Sequence, residues 1–119
     1  MTPSREVLRI DPPALLRGME QVLKDQIFRR MKRRGVVVGL SRGIDSSVTT
    51  ALCARILGSE RVVALLIPEH ESENESTHLG LPLAEQLKVK SIVGEIGPLL
   101  VAAGCHRRRD EAIRTQIPE

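Results

Sequence analysis

The chain has 119 residues, one domain at most, and its 41% hydrophobic content suits a globular fold. One Phe and no Trp or Tyr make any core aliphatic and argue against modules that stack nucleic-acid bases on aromatics. With 18 basic and 15 acidic residues the net charge is only +3, so no bulk electrostatic grip on nucleic acid or a membrane is expected.

Residues 1–11 read as a poorly ordered lead-in without the apolar core of a signal peptide. Asp11 before Pro12 and Pro13 predicts a capped helix start. Leu15, Met19, Leu23, Ile27 and Met31 then recur every fourth residue as an amphipathic helix. It ends in Arg29-Arg30-Met31-Lys32-Arg33-Arg34, read as a solvated basic end that complements the helix dipole rather than a nucleic-acid patch.

Val36, Val37 and Val38 form a β-branched apolar run, a buried strand. A loop of small residues follows, Gly39-Leu40-Ser41-Arg42-Gly43-Ile44-Asp45-Ser46-Ser47, and then a helix that Gly58 stops. Strand, small-residue loop and helix together suit phosphate. The helix's first turn has unpaired N–H groups and partial positive charge, glycines allow close approach, and Ser41, Ser46 and Ser47 add hydroxyls. Asp45 would be repelled by phosphate unless a divalent cation such as Mg²⁺ lay between them. The other reading is a plain turn with Asp45 or Ser46 as helix N-cap.

Ser59-Glu60-Arg61 reads as a turn, and residues 62–67 as a second buried strand closed by Pro68. Strand, helix and strand make a right-handed parallel crossover. The polar segment from Glu69 to Glu75, including His70, reads as a solvated loop. A helix is expected from near Ser76, kinked at Pro82 or beginning there, because proline in a helix interior loses a hydrogen bond. Residues 89–93 form a third strand, Pro98 opens a short helix, and the arginine-rich tail is helical with an Asp110–Arg114 pair. His106 reads as a surface residue. Cys53 and Cys105 form no CxxC and read as reduced thiols of a cytoplasmic protein. The longest apolar run is too short to span a bilayer.

Ser41-Arg42-Gly43-Ile44-Asp45-Ser46 resembles the Ser-Gly-Gly-x-Asp-Ser pyrophosphate loop of the N-type ATP pyrophosphatases, with Arg42 in place of the first glycine. That superfamily includes NAD synthetase, GMP synthetase, asparagine synthetase and tRNA-thiolating enzymes. Outside the loop, Val63-Ala64-Leu65-Leu66-Ile67-Pro68-Glu69, Ser72 and Leu83-Ala84-Glu85-Gln86-Leu87 resemble NAD synthetase, as do Ile96, Pro98, Leu99, Leu100 and the tail from Arg107 to Arg114.

The resemblance implies an α/β fold of adenine nucleotide alpha hydrolase type. Its parallel sheet would carry helices on both faces, with strand order 3-2-1-4-5. Residues 1–119 would be a partial, truncated ATP-pyrophosphatase domain, because family enzymes are much longer. It implies that Gly39, Leu40, Ser41, Arg42, Gly43, Ile44, Asp45 and Ser46 bind ATP and that Asp45 binds Mg²⁺, with no catalytic side chain assigned. Deamido-NAD and ammonia are the implied substrates and a homodimer the implied assembly. Arg42 is expected to impair the loop. The alternatives are a non-catalytic nucleotide-binding or interaction module and another ATP pyrophosphatase.

Overall fold

In the computed structural model the described residues are 9–41, 43–68 and 73–117, with the side chains of 73–78 not described. Helix α1, Pro12–Lys24, starts as expected: Asp11 is the N-cap and accepts the Ala14 N–H at 3.3 Å. The helix then widens into a π-helical turn, Asp25–Arg30, with the Met31 N–H on the Gln26 carbonyl at 2.8 Å. The five-residue apolar stripe does not stay on one face. Residues four apart drift about 40° per step on a helix of 3.6 residues per turn. Ile27 is buried and Leu23 and Phe28 pack beside it, while Leu15, Met19 and Met31 are exposed.

Strands β1 (Val36–Gly39), β2 (Val62–Leu66) and β3 (Lys90–Val93) form one parallel sheet in the order β1-β2-β3. This is the expected α/β fold, with the 3-2-1 part of the expected order. Helix α2, Ile44–Leu57, crosses from β1 to β2 and stops at Gly58, whose φ of 96° suits glycine. A 3₁₀ turn, Ser59–Arg61, leads into β2. Helix α3, Glu73–Gln86, crosses to β3. It already includes Glu73, Asn74 and Glu75, assigned to a loop from sequence, and it neither begins at nor ends at Pro82. Glu69, His70 and Ser72 lie outside the described residues.

Val36 pairs with Val62 and Val38 with Ala64, so these residues share a sheet face with Leu66. Val62, Ala64 and Leu66 are at most 1% exposed and join Cys53, Ala54, Ile56 and Leu57 of α2 and Ala84 of α3 in one aliphatic core. Gly80 lets α3 approach: a Cβ there would sit 2.5 Å from a Leu66 methyl. The opposite face carries Val37, Val63, Leu65 and Ile92, and Val37 is 67% exposed. Helices are expected on both faces; among the described residues α2 and α3 cover the face of Leu66.

Helices α4, Gly97–Ala102, and α5, Cys105–Gln116, pack on each other through Gly104, whose φ is 68°. The i,i+4 pair on α5 is Arg107–Glu111 at 3.5 Å, not Asp110–Arg114, because Asp110 pairs with Arg109 at 3.1 Å. His106 is partly exposed there. Both cysteines are free thiols. Among the described residues no helix is long and apolar enough to cross a membrane.

Candidate functional site: the loop between the first strand and its helix

The site lies at the carboxyl end of β1, where ligands of parallel α/β sheets enter. Gly39 has open space where a Cβ would be. Leu40 is different from its neighbours: its side chain is 3% exposed in the core, and its N–H donates to the Leu65 carbonyl at 2.9 Å. Leu40 therefore fixes where the loop leaves the sheet, and its N–H is not free for an anion.

Gly43 is the N-cap of α2, with extended backbone (φ −76°, ψ 149°) and no side-chain cap bond. That corrects the reading of Asp45 or Ser46 as N-cap. Asp45 sits in the helix's first turn and is exposed. The Ser47 N–H reaches the Gly43 carbonyl at 3.2 Å, so the N–H groups of Ile44, Asp45 and Ser46 are the unpaired first-turn donors.

Three serines shape the loop. Ser46 Oγ accepts the Ser41 N–H at 3.1 Å and lies 2.9 Å from Ser41 Oγ. The Gly43 N–H donates to Ser41 Oγ at 3.1 Å. The Ser46 and Ser47 hydroxyls both donate to the Gly43 carbonyl, at 3.1 and 2.9 Å. Each hydroxyl has one hydrogen to give. Ser46 and Ser47 therefore spend theirs on holding the turn, and the donors left over are backbone N–H groups. Thr49 and Thr50, which the sequence reading did not single out, brace the same turn. Their hydroxyls donate to the carbonyls of Asp45 and Ser46 at 2.8 and 2.7 Å. Their spacing of four from Asp45 and Ser46 is the signal that could have found them.

Arg42 lies outside the described residues. Ile44 is 80% exposed, an apolar side chain standing at the mouth of the loop. Among the described residues no three His, Cys, Asp or Glu side chains cluster to hold a metal. One carboxylate beside phosphate oxygens suffices for Mg²⁺, and the residues fit that ion on donor chemistry.

A parallel α/β sheet whose first strand runs through a braced glycine–serine turn into an uncapped helix N-terminus defines a class of phosphate-accepting nucleotide domains. Comparison with known proteins narrows this. The family described as NAD synthase matches residues 15–116, and the chain belongs to that family. It is 43% identical over 115 residues to an NH(3)-dependent NAD(+) synthetase of Rhizobium rhizogenes, covering 97% of this chain and 35% of the relative. The chain thus spans about a third of the length of that relative. Among solved structures, the NH3-dependent NAD synthetase of Campylobacter jejuni, in complex with nitrate, superposes with a TM-score of 0.69 at 28% identity, over 93% of this chain and 43% of that one. The glutamine-dependent NAD+ synthetase of Acinetobacter baumannii, in complex with ADP, gives 0.58 at 30% identity over 61% of this chain and 14% of that one.

Proposed function

We propose that this chain supplies the pyrophosphate-binding part of an ATP-dependent ligase that forms NAD from deamido-NAD and ammonia. The observation that carries the proposal is the uncapped first turn of α2 at the carboxyl end of β1, in a chain of the NAD synthase family. The nicotinate carboxylate attacks the α-phosphorus of ATP, and the bond to the bridging oxygen breaks. Negative charge then gathers on the departing pyrophosphate. The N–H groups of Ile44, Asp45 and Ser46 are fixed donors for that charge and need no reorganisation as it develops. Ammonia then displaces AMP from the acyl adenylate. Asp45 would hold Mg²⁺, which would supply the counter-charge that makes a carboxylate tolerable beside phosphate.

Isothermal titration with MgATP tests the reading. Asp45→Asn is expected to abolish Mg²⁺-dependent ATP binding and to leave the circular-dichroism spectrum unchanged. Unchanged affinity would reduce Asp45 to a helix-dipole role.

A second reading is a nucleotide-binding module without turnover, in which the braced turn at Gly43 binds the nucleotide and no ligation follows. An ammonia-dependent NAD assay on the purified chain separates the two. Another ATP pyrophosphatase would show as adenylation of a different substrate instead.

A further inference from the structure

Helix α1 has no fully buried residue and rests on α2. Beside that contact, away from the phosphate loop, a cavity of about 370 Å³ opens between the two helices. Its apolar floor includes Leu16 and Ile56, and Arg17 from α1 and Arg55 from α2 line it together. Arg17 forms no ion pair among the described residues. Glu20 also lines the cavity, but Lys24 already holds its carboxylate at 2.5 Å. The Lys24 hydrogen bond and charge, and then the charge of Arg55, hold the Glu20 carboxyl below its usual range. Glu20 is thus held by Lys24, and Arg17 and Arg55 are the two cations in the lining of the cavity.

We propose that this cavity binds a small multivalent oxyanion, a polycarboxylate or phosphate, that bridges Arg17 and Arg55 and clamps α1 to α2. Guanidinium groups match carboxylate and phosphate with paired N–H donors, and one anion facing two of them gains from both. The volume suits a small ligand rather than a polymer. The site is independent of the phosphate loop, which lies at the other end of α2.

The test uses the full chain, with citrate and inorganic phosphate titrated separately at constant ionic strength without Mg²⁺ or ATP, and MgATP binding measured in its own titration. Calorimetry is expected to show one site, and thermal melting a rise in midpoint that sodium chloride does not reproduce. Arg17→Ala and Arg55→Ala are each expected to weaken binding about ten-fold or more, as loss of a charge-assisted hydrogen bond does. Arg17→Lys, which keeps charge and loses the fork, should fall between. Citrate binding tighter than phosphate identifies a polycarboxylate ligand, and the reverse identifies a phosphate. Should both alanine variants bind as the parent does, or should chloride give the same stabilisation, the clamp is refuted. Should MgATP fail to bind at all, the loop reading fails alone, since the citrate isotherm and its loss in the arginine variants are read without it.

Discussion

At the scale of single residues, small side chains and buried thiols carry sharp consequences. A Cβ on Gly35 would collide with the Arg61 carbonyl oxygen and bring the carbonyl carbon to 3.0 Å. The obstacle is backbone at the entry to β2, and it has little room to yield. Gly35→Ala is therefore expected to cost roughly 1–3 kcal/mol, as overpacking does, read as a lower midpoint in denaturant. A stability equal to the parent's would mean the Arg61 carbonyl moves freely. Cys53 is 7% exposed and burial raises its pKa, whereas Cys105 is half-exposed. In the native protein a thiol reagent should label Cys105 quickly and Cys53 only after unfolding. A raised folded pKa favours the neutral thiol. The contribution of Cys53 is thus complete below the unfolded thiol's pKa and is lost as pH rises through the folded one. Equal labelling rates at both thiols would contradict the burial.

At the scale of elements, helix ends show how local chemistry and packing compete. Helix α3 closes with the Val89 N–H on the Ala84 carbonyl and the Lys88 N–H on the Glu85 carbonyl, both at 3.0 Å. That hydrogen-bond pattern demands a left-handed residue, and Lys88 takes it with φ 55°. Glycine would hold the same conformation without a Cβ penalty. Lys88→Gly is expected to stabilise the fold by about 0.5–1 kcal/mol. A loss of stability in that variant would show that the lysine side chain contributes more than its strain costs. The continuation of α3 through Pro82 has a related origin. Leu81 packs against the core just before the proline, Leu83 and Leu87 do so after it and Ala84 lies within it, and burial on both sides offsets the missing hydrogen bond, which costs about 3 kcal/mol.

At the scale of the whole molecule, the sheet is open. The radius of gyration is 19.1 Å, against about 13.5 Å for a compact chain of this length. Strand β1 lies at a sheet edge with Val37 exposed, and apolar edges recruit partners. The 119-residue chain by itself is expected to form no NAD from deamido-NAD and ammonia, and to self-associate in light scattering. Val37→Lys should reduce that association, since an edge charge opposes pairing. A monomeric parent with a sharp thermal melt would refute the edge argument, and NAD turnover would refute the expected inactivity.

What the sequence determined by itself was whatever short-range chemistry decides. Apolar runs at Val36 to Val38 and Val62 to Ile67 and the segment at 89–93 marked three strands, Asp11 and the two prolines marked the start of α1, and Gly58 marked the end of α2. The turn at residues 39–47 was legible as a turn because its glycines and serines interrupt both the apolar strand before it and the helical pattern after it. Tertiary structure decided the rest. Sequence spacing cannot say which members of a drifting stripe meet another element, so Ile27 went inward while Leu15 and Met31 stayed out. It cannot say that Ser46 and Ser47 turn their hydroxyls back on the Gly43 carbonyl, because that depends on how the chain enters α2. Nor does it reveal that Arg17 and Arg55, 38 positions apart in the numbering, line one cavity; only the packing of α1 on α2 brings them there.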